Sequence, residues 1–240
     1  MATNKITLFD IPSKAPLQTW SYNTWKTRFV LNFKGLDYQT EWLEYPEIKP
    51  RLMDHFPNDK DEFTVPTIMM PDDSYVMDSM VISQLLEKNH PEPSLHLDSP
   101  YTQRVRDQMV KSQSLRGIYI PLVVKRLLND CNHEYWHRTR SEWFGMPLDQ
   151  YEKEHGGEFA FSRSDEYLSN ITALLRENED GPFFMGKTVS YADFYWAGFL
   201  LFFERLGDDV FQRLLKGTGD GEIHLKLLEG VKPWSKRNDH

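Results

Sequence analysis

The sequence predicts an α+β chain in two parts: a small α/β domain over residues 1–89 and, after a linker over 90–100, an all-helical domain over 101–240. Three observations carry this reading. The first ninety residues alternate strand-like and helix-like patterns in the order β-α-β-α-β-β-α. The segment 90–100 holds three prolines and no periodicity. Beyond it the strand pattern all but disappears, and apolar residues recur at helical spacing.

Taken in order, residues 5–10 alternate apolar and polar side chains, as a half-buried strand does. A polar loop leads to a helix over 24–33, where Trp25, Phe29, Val30 and Phe33 share a face and Gly35 stands where a C′ glycine ends a helix. Residues 38–45 read as a second strand, and 46–56 as a short helix or irregular stretch interrupted by Pro50. A strand-like run over 64–70, a turn at 71–74 and a short strand at 75–77 follow. Asp78 and Ser79 then open a helix over 80–88 with Ile82, Leu85 and Leu86 on one side. In the second part, 101–128 reads as one long helix, with others over 164–177, 191–206 and 208–216. Ser190-Tyr-Ala-Asp193 is a capping box ahead of a mostly apolar helix, in which serine and carboxylate each satisfy a free backbone N–H.

Composition narrows the function. Lys and Arg total 28 against 36 Asp and Glu, a net charge of −8 with no basic block. This speaks against nucleic acid or an anionic membrane surface as partner. The single cysteine, Cys131, excludes a disulfide framework, a Cys-based zinc site and a Cys-x-x-Cys redox centre. No run approaches the ~18 apolar residues of a membrane span. The N-terminal residues lack a secretory pattern, so a soluble, cytoplasmic protein is expected. Phe, Trp and Tyr make up 14% of the residues, either as packing or as a surface for flat aromatic ligands.

Three features of the first part carry chemistry. Pro66 lies inside an apolar strand pattern, where proline cannot donate to the ladder. Either the strand is an edge, or a cis Val65–Pro66 bond leaves the Val65 backbone free to pair with a peptide ligand. Asp78-Ser79 is an ordinary N-cap or, alternatively, an amino-acid site: free N–H groups and a hydroxyl for a carboxylate, and an aspartate for the ammonium. Ser21-Tyr-Asn-Thr24 precedes the first helix. There Asn23 is the expected N-cap, and the Ser21 hydroxyl can donate to an anion at the helix end.

In this order the motifs resemble a cytosolic glutathione transferase over nearly the whole chain. The runs ITLFDIP, SYNTWKTR (21–28) and FKGL (33–36) are most similar to the etherase-related group, which contains the bacterial lignin β-etherases and the fungal FuA class, the better match. The resemblance implies a thioredoxin-like first domain, a helical-bundle second domain and a homodimer. It implies glutathione as co-substrate, with Val65 pairing with its cysteinyl backbone, Pro66 cis, and Asp78 and Ser79 holding its γ-glutamyl end. Ser21 falls at the catalytic serine, with Asn23 as a second donor to the sulfur. Many relatives have Ser-Pro where this chain has Ser21-Tyr22. Lys49 and Arg51 are both candidates for the glycine carboxylate. The implied function is conjugation or thiolysis of aromatic electrophiles, in detoxification of wood-derived or xenobiotic compounds. The alternative is a non-catalytic, ligandin-type binder of polyphenols and other aromatic ligands. A serine rather than a cysteine in the loop argues against thioltransferase chemistry. The electrophile pocket is expected between the Ser21 loop and the stretch 109–123.

His133-Glu-Tyr-Trp-His137 matches the H-E-x-x-H zinc signature, with Glu152 or Glu154 as possible third ligand. It follows a loop-like stretch, 129–132, and carries two bulky rings between the histidines, so no metal is expected. Asn170-Ile-Thr172 is a glycosylation sequon inside a helical pattern, and no phosphate-binding glycine motif occurs.

Overall fold

The computed structural model describes residues 5–57 and 62–239. Its sheet contains β1 (Ile6–Asp10), β2 (Tyr38–Trp42), β3 (Thr67–Met69) and β4 (Tyr75–Met77) in the order β2-β1-β3-β4. β1 runs parallel to β2, with Leu8 opposite Thr40, and antiparallel to β3, with Leu8 opposite Ile68. β3 and β4 are antiparallel. Every residue of β1 is buried, as befits an inner strand covered on both faces. The parallel β1–β2 pair needs a crossover, supplied by α1 (Tyr22–Phe33), and α2 (Tyr45–Leu52) and α3 (Ser79–Asn89) complete this part.

The strands are shorter than the sequence suggests. β3 begins only after Pro66, which has no N–H for the ladder. β2 stops at Trp42 because Glu44 caps α2 in a reciprocal box with Glu47. α2 continues through Pro50 to Leu52, losing only the hydrogen bond that proline cannot make.

The helical part comprises α4 (Pro100–Lys111), α5 (Arg116–Arg126), α6 (His133–Phe144), α7 (Leu148–His155), α8 (Gly157–Ser162), α9 (Asp165–Leu175), α10 (Tyr191–Leu206), α11 (Asp208–Gly217) and α12 (Gly221–Ser235). The expected long helix over 101–128 is in fact α4, a 3₁₀ turn over Gln113–Leu115, and α5. Side chains that compete with the helix ladder make the break. Ser112 Oγ donates back to the Gln108 carbonyl at 3.0 Å, and Ser114 Oγ donates to the Ala160 carbonyl at 3.0 Å. The break also lets Gly117 approach α7, where an added Cβ would lie 1.9 Å from the His155 carbonyl oxygen.

The two parts share one hydrophobic core. α10 is its axis and α1 lies against it. Phe29 stacks on Phe194 with centroids 5.1 Å apart and planes 4° from parallel. Opposite Trp25, a Cβ on Gly198 would come within 3.1 Å of the Trp25 Cβ, so the helices touch almost backbone to backbone. The capping box holds as expected: Asp193 Oδ2 accepts from Ser190 N–H (2.7 Å) and Ser190 Oγ (2.8 Å), and Oδ1 from Phe184 N–H (2.9 Å). The segment before α4 is pinned rather than loose. Leu95 is fully buried, its N–H donates to Glu87, and its carbonyl accepts from Tyr191 N–H at 2.8 Å. Among the described residues, no helix is long and apolar enough to cross a membrane.

Candidate functional site

The site grows from the end of β1. Asp10 and Arg28 form a fully buried ion pair, Nε to Oδ2 at 2.9 Å, and Asp10 Oδ1 accepts the Ile11 N–H at 2.7 Å. Arg28 reaches on to Thr40 Oγ1 at 2.9 Å, so one guanidinium ties α1, β1 and β2 together. The loop from Ile11 to Ser21 is fastened along its length: Trp20 Nε1 donates to the Pro12 carbonyl, Arg205 to the Pro16 carbonyl, and Lys14 N–H to the Leu127 carbonyl. Such anchoring delivers Ser21 to the start of α1 in a fixed place.

Ser21, not the expected Asn23, is the N-cap of α1. A capping serine usually accepts from a first-turn amide, but Ser21 makes no such bond. Its hydroxyl instead lines a cavity of about 790 Å³, beside free N–H groups at the positive end of a helix with no acid in its first turn. Asn23 sits in that first turn and lines the same cavity. Its Oδ1 accepts from Lys26 Nζ at 2.9 Å. With Oδ1 turned to Lys26, Nδ2 is the donor end of the amide, and Asn23 also hydrogen-bonds the Tyr22 hydroxyl.

Lys26 was not expected as a site residue. It is 5% exposed, between the rings of Tyr22 and Tyr195, whose centroids lie 5.0 and 4.6 Å from Nζ. Burial pulls its ammonium down to about 7, Asp78 opposing and Arg106 reinforcing. α1 and α3, whose starts carry Asn23 and Asp78, pack against each other.

Val65 lines the cavity as well, and the Val65–Pro66 bond is cis, as the resemblance implies. Among the described residues, no backbone hydrogen bond uses the Val65 N–H or carbonyl. Asp78 and Ser79 are outside this cavity wall. Asp78 takes φ 83°, ψ 125° and caps α3 through Oδ1, which accepts from Met80 N–H (2.7 Å) and Val81 N–H (3.2 Å). A non-glycine residue at such a φ is costly, on the order of 1–3 kcal/mol, and such strain gathers at ligand sites. The second carboxylate oxygen of Asp78 and the hydroxyl of Ser79 take no part in the cap.

The two cations left open by the sequence separate here. Lys49 lines the cavity with Ile48. Arg51 is committed elsewhere: it binds Glu41 through Nε (2.6 Å) and Nη2 (3.0 Å) and lies over the Phe9 ring.

The opposite wall is α6, through Tyr135, Thr139, Arg140, Glu142 and Trp143, and not the stretch 109–123. Their spacing of three and four residues is legible as one helix face, but only once 133–144 is seen to be helical. α2 and α6 are latched together by the fully buried Asn132, whose Oδ1 accepts from Tyr45 N–H at 2.8 Å and whose Nδ2 donates to Glu44. Tyr45 stacks on Tyr135, centroids 6.1 Å apart. His133 and His137 lie on α6, but among the described residues no group of three or more His, Cys, Asp or Glu is placed to hold a metal ion.

Comparison with known proteins follows the same outline. Residues 20–89 match the glutathione S-transferase N-terminal domain family, and residues 100–224 the glutathione S-transferase C-terminal domain family. A glutathione S-transferase-like protein, ustS, of Aspergillus flavus is 28% identical over 95% of this chain and 93% of its own. Among solved structures, glutathione transferase GSTFuA3 of Phanerochaete chrysosporium is 27% identical over 96% of this chain and 97% of its own, with a TM-score of 0.81. The glutathione S-transferase CsGST63524 of Ceriporiopsis subvermispora, solved in complex with glutathione, is 28% identical over 99% and 100%, also at 0.81. With both of its parts matched in order, the chain belongs to the glutathione S-transferase family.

Proposed function

We propose that the chain is a serine-type transferase of the etherase-related kind, which holds glutathione as thiolate at Ser21 and passes it to aromatic electrophiles. The observation that carries this is Ser21: it stands at the N-cap of α1 with its hydroxyl making no capping bond, and it lines a cavity shared with Asn23 and Val65. Glutathione would pair its cysteinyl backbone with Val65, set its γ-glutamyl end on Asp78 and Ser79, and reach Lys49 with its glycine carboxylate. A volume of about 790 Å³ suits a ligand site of the usual size, about 300–1,000 Å³.

Magnitudes require several groups acting together. A free thiol has a pKa near 8.5, and one unit corresponds to about 1.36 kcal/mol. Holding the sulfur as thiolate at pH 6.5 therefore needs about 2.7 kcal/mol. A helix N-terminus supplies about 0.3–1 kcal/mol, up to ~2 when partly buried, and a hydrogen bond to a charged group about 1.5–3 kcal/mol. The helix alone falls short, whereas the helix with Ser21 suffices, and Asn23 Nδ2 adds a second donor. In the reaction the thiol proton passes to solvent. The sulfur lone pair forms a C–S bond, and the bond to the leaving group breaks with its electron pair.

The test is conjugation of a benzylic halide by wild type and Ser21→Ala across pH. Loss of one hydrogen bond to the thiolate should move its apparent pKa up by about one to two units. The rate at pH 6.5 then falls roughly five- to fiftyfold and recovers at alkaline pH. An unchanged profile removes Ser21 from the mechanism. A ligandin role is favoured by the rings of Tyr45, Phe63, Tyr135 and Trp143 on the cavity wall. Micromolar polyphenol binding without turnover of any electrophile would select it.

A further inference from the structure

Resting on this transferase reading, the cavity wall retains one cation to which glutathione brings no anion. Glutathione has two carboxylates, and the reading assigns them to the start of α3 and to Lys49. Arg140 also lines the cavity. Among the described residues its side chain has no carboxylate partner; its Nη1 donates to Thr139 Oγ1 at 3.3 Å, and the guanidinium also hydrogen-bonds the Tyr45 hydroxyl. In a chain with 36 acidic residues against 28 basic ones, the pairing was available and was not made. The two carboxylates on this wall, Glu62 and Glu142, are exposed, and Glu142 lies 3.6 Å from Arg138.

Arg140 is held in place by rings. Its guanidinium carbon lies 4.2 Å from the Trp136 ring centre, 5.7 Å from Trp143 and 5.9 Å from Tyr45. Bonded to neutral hydroxyls alone, the stacked guanidinium keeps further N–H donors, which match a planar carboxylate. Beside it Trp143 is 55% exposed, although a large ring usually seeks cover. Its indole is backed by Phe144, stacked at 5.1 Å and 16°, and Phe144 by Tyr151 at 3.7 Å and 10°. A second guanidinium, Arg116, lies 5.0 Å from the indole. The pair offers a rigid apolar face flanked by positive charge.

We infer that the Arg140–Trp143 wall selects flat aromatic electrophiles that carry an anionic group. The ring lies against Trp143, its carboxylate or phenolate is held by Arg140, and the reacting carbon turns toward the sulfur at Ser21. The chemistry is unchanged: a C–S bond forms at the benzylic carbon, and the leaving group departs with its electron pair.

The test compares 4-(chloromethyl)benzoate with benzyl chloride at saturating glutathione. Wild type should favour the benzoate in kcat/KM. Arg140→Gln should reduce that preference at least tenfold, chiefly through the KM of the benzoate, and Arg140→Lys should restore part of it. Trp143→Ala should raise KM for both electrophiles, with Trp143→Phe recovering most of the loss. An unchanged preference in Arg140→Gln overturns the inference. So does an effect that appears instead as a raised KM for glutathione, which would give Arg140 to the tripeptide. Should wild type turn over neither compound, the transferase reading fails by itself. The wall is then read by calorimetric binding of 1-naphthoate against 1-naphthylmethanol. A tenfold loss of naphthoate preference in Arg140→Gln sustains the inference, and an equal loss for both ligands overturns it.

Discussion

Lys26 and Asn23 show how a single contact can orient a site. An asparagine amide has an acceptor and a donor end, and in the first turn of α1 nothing in the backbone chooses between them. Lys26 chooses, by donating to Oδ1 at 2.9 Å. It does so from between two tyrosine rings, where burial holds its pKa near 7, against about 10.4 in an unfolded chain. The folded state therefore binds fewer protons than the unfolded state between pH 7 and 10, and this residue's contribution to stability rises with pH across that window. Lys26→Met should abolish that rise, seen by comparing urea midpoints of both proteins at pH 7 and 9.5. The same variant should raise the apparent thiol pKa, because Asn23 is then free to turn. If the two midpoints move in parallel with pH, Lys26 is not the titrating group.

Elements are placed by their ends as much as by their faces. α10 is the most apolar helix of the chain, and its start is fixed by Asp193, whose carboxylate serves two buried amides and a hydroxyl. Burial pushes its pKa up to about 6. Asp193→Ala would strand the Phe184 and Ser190 N–H groups, at about 1–3 kcal/mol each. A loss of roughly 2–6 kcal/mol should follow, measured by chemical denaturation, with Asp193→Asn losing less. Little or no loss would mean that water reaches both amides. This cap is read directly from four residues in a row, because all its partners but one are local. α6 is the opposite case. Its apolar residues are mixed with charge, and its rings are covered by Tyr45 of α2, Tyr151 of α7 and stacked arginines. The face shows in residue spacing only once 133–144 is taken as a helix, and the loop-like residues 129–132 ahead of it hide that start.

At the scale of the molecule, the seam between α1 and α10 joins the sheet-bearing part to the helical part. Aromatic rings fill it: Phe29, Phe33 and Phe194 cluster with Trp234 of α12, and Tyr22 with Phe199 and Phe202. Gly198 lets the helices meet, with a Cβ already within 3.1 Å of Trp25. Gly198→Val must push α1 outward, at an overpacking cost of about 1–3 kcal/mol. Because α1 carries both Ser21 and Asn23, the KM for glutathione should rise several-fold along with the fall in melting temperature. A lower melting temperature with unchanged KM would mean that the seam stabilises the site without setting its geometry.

By itself the sequence determined whatever is local in the chain: the element order of the first ninety residues, the capping box of α10, and a serine just ahead of the first helix. Each depends on residues a few positions apart, so spacing and side-chain chemistry reveal it. Only the tertiary structure decided which groups meet across the molecule. It left the Ser21 hydroxyl out of the helix cap, set the exposed Lys49 at the cavity while Arg51 was taken by Glu41, broke the helix over 101–128 against α7 and α8, and brought α6 to the same cavity as Ser21. It also divided the aromatic residues between the α1–α10 seam and the cavity wall. These outcomes are set by which surfaces pack together, and a pattern read along one segment carries no record of its partner.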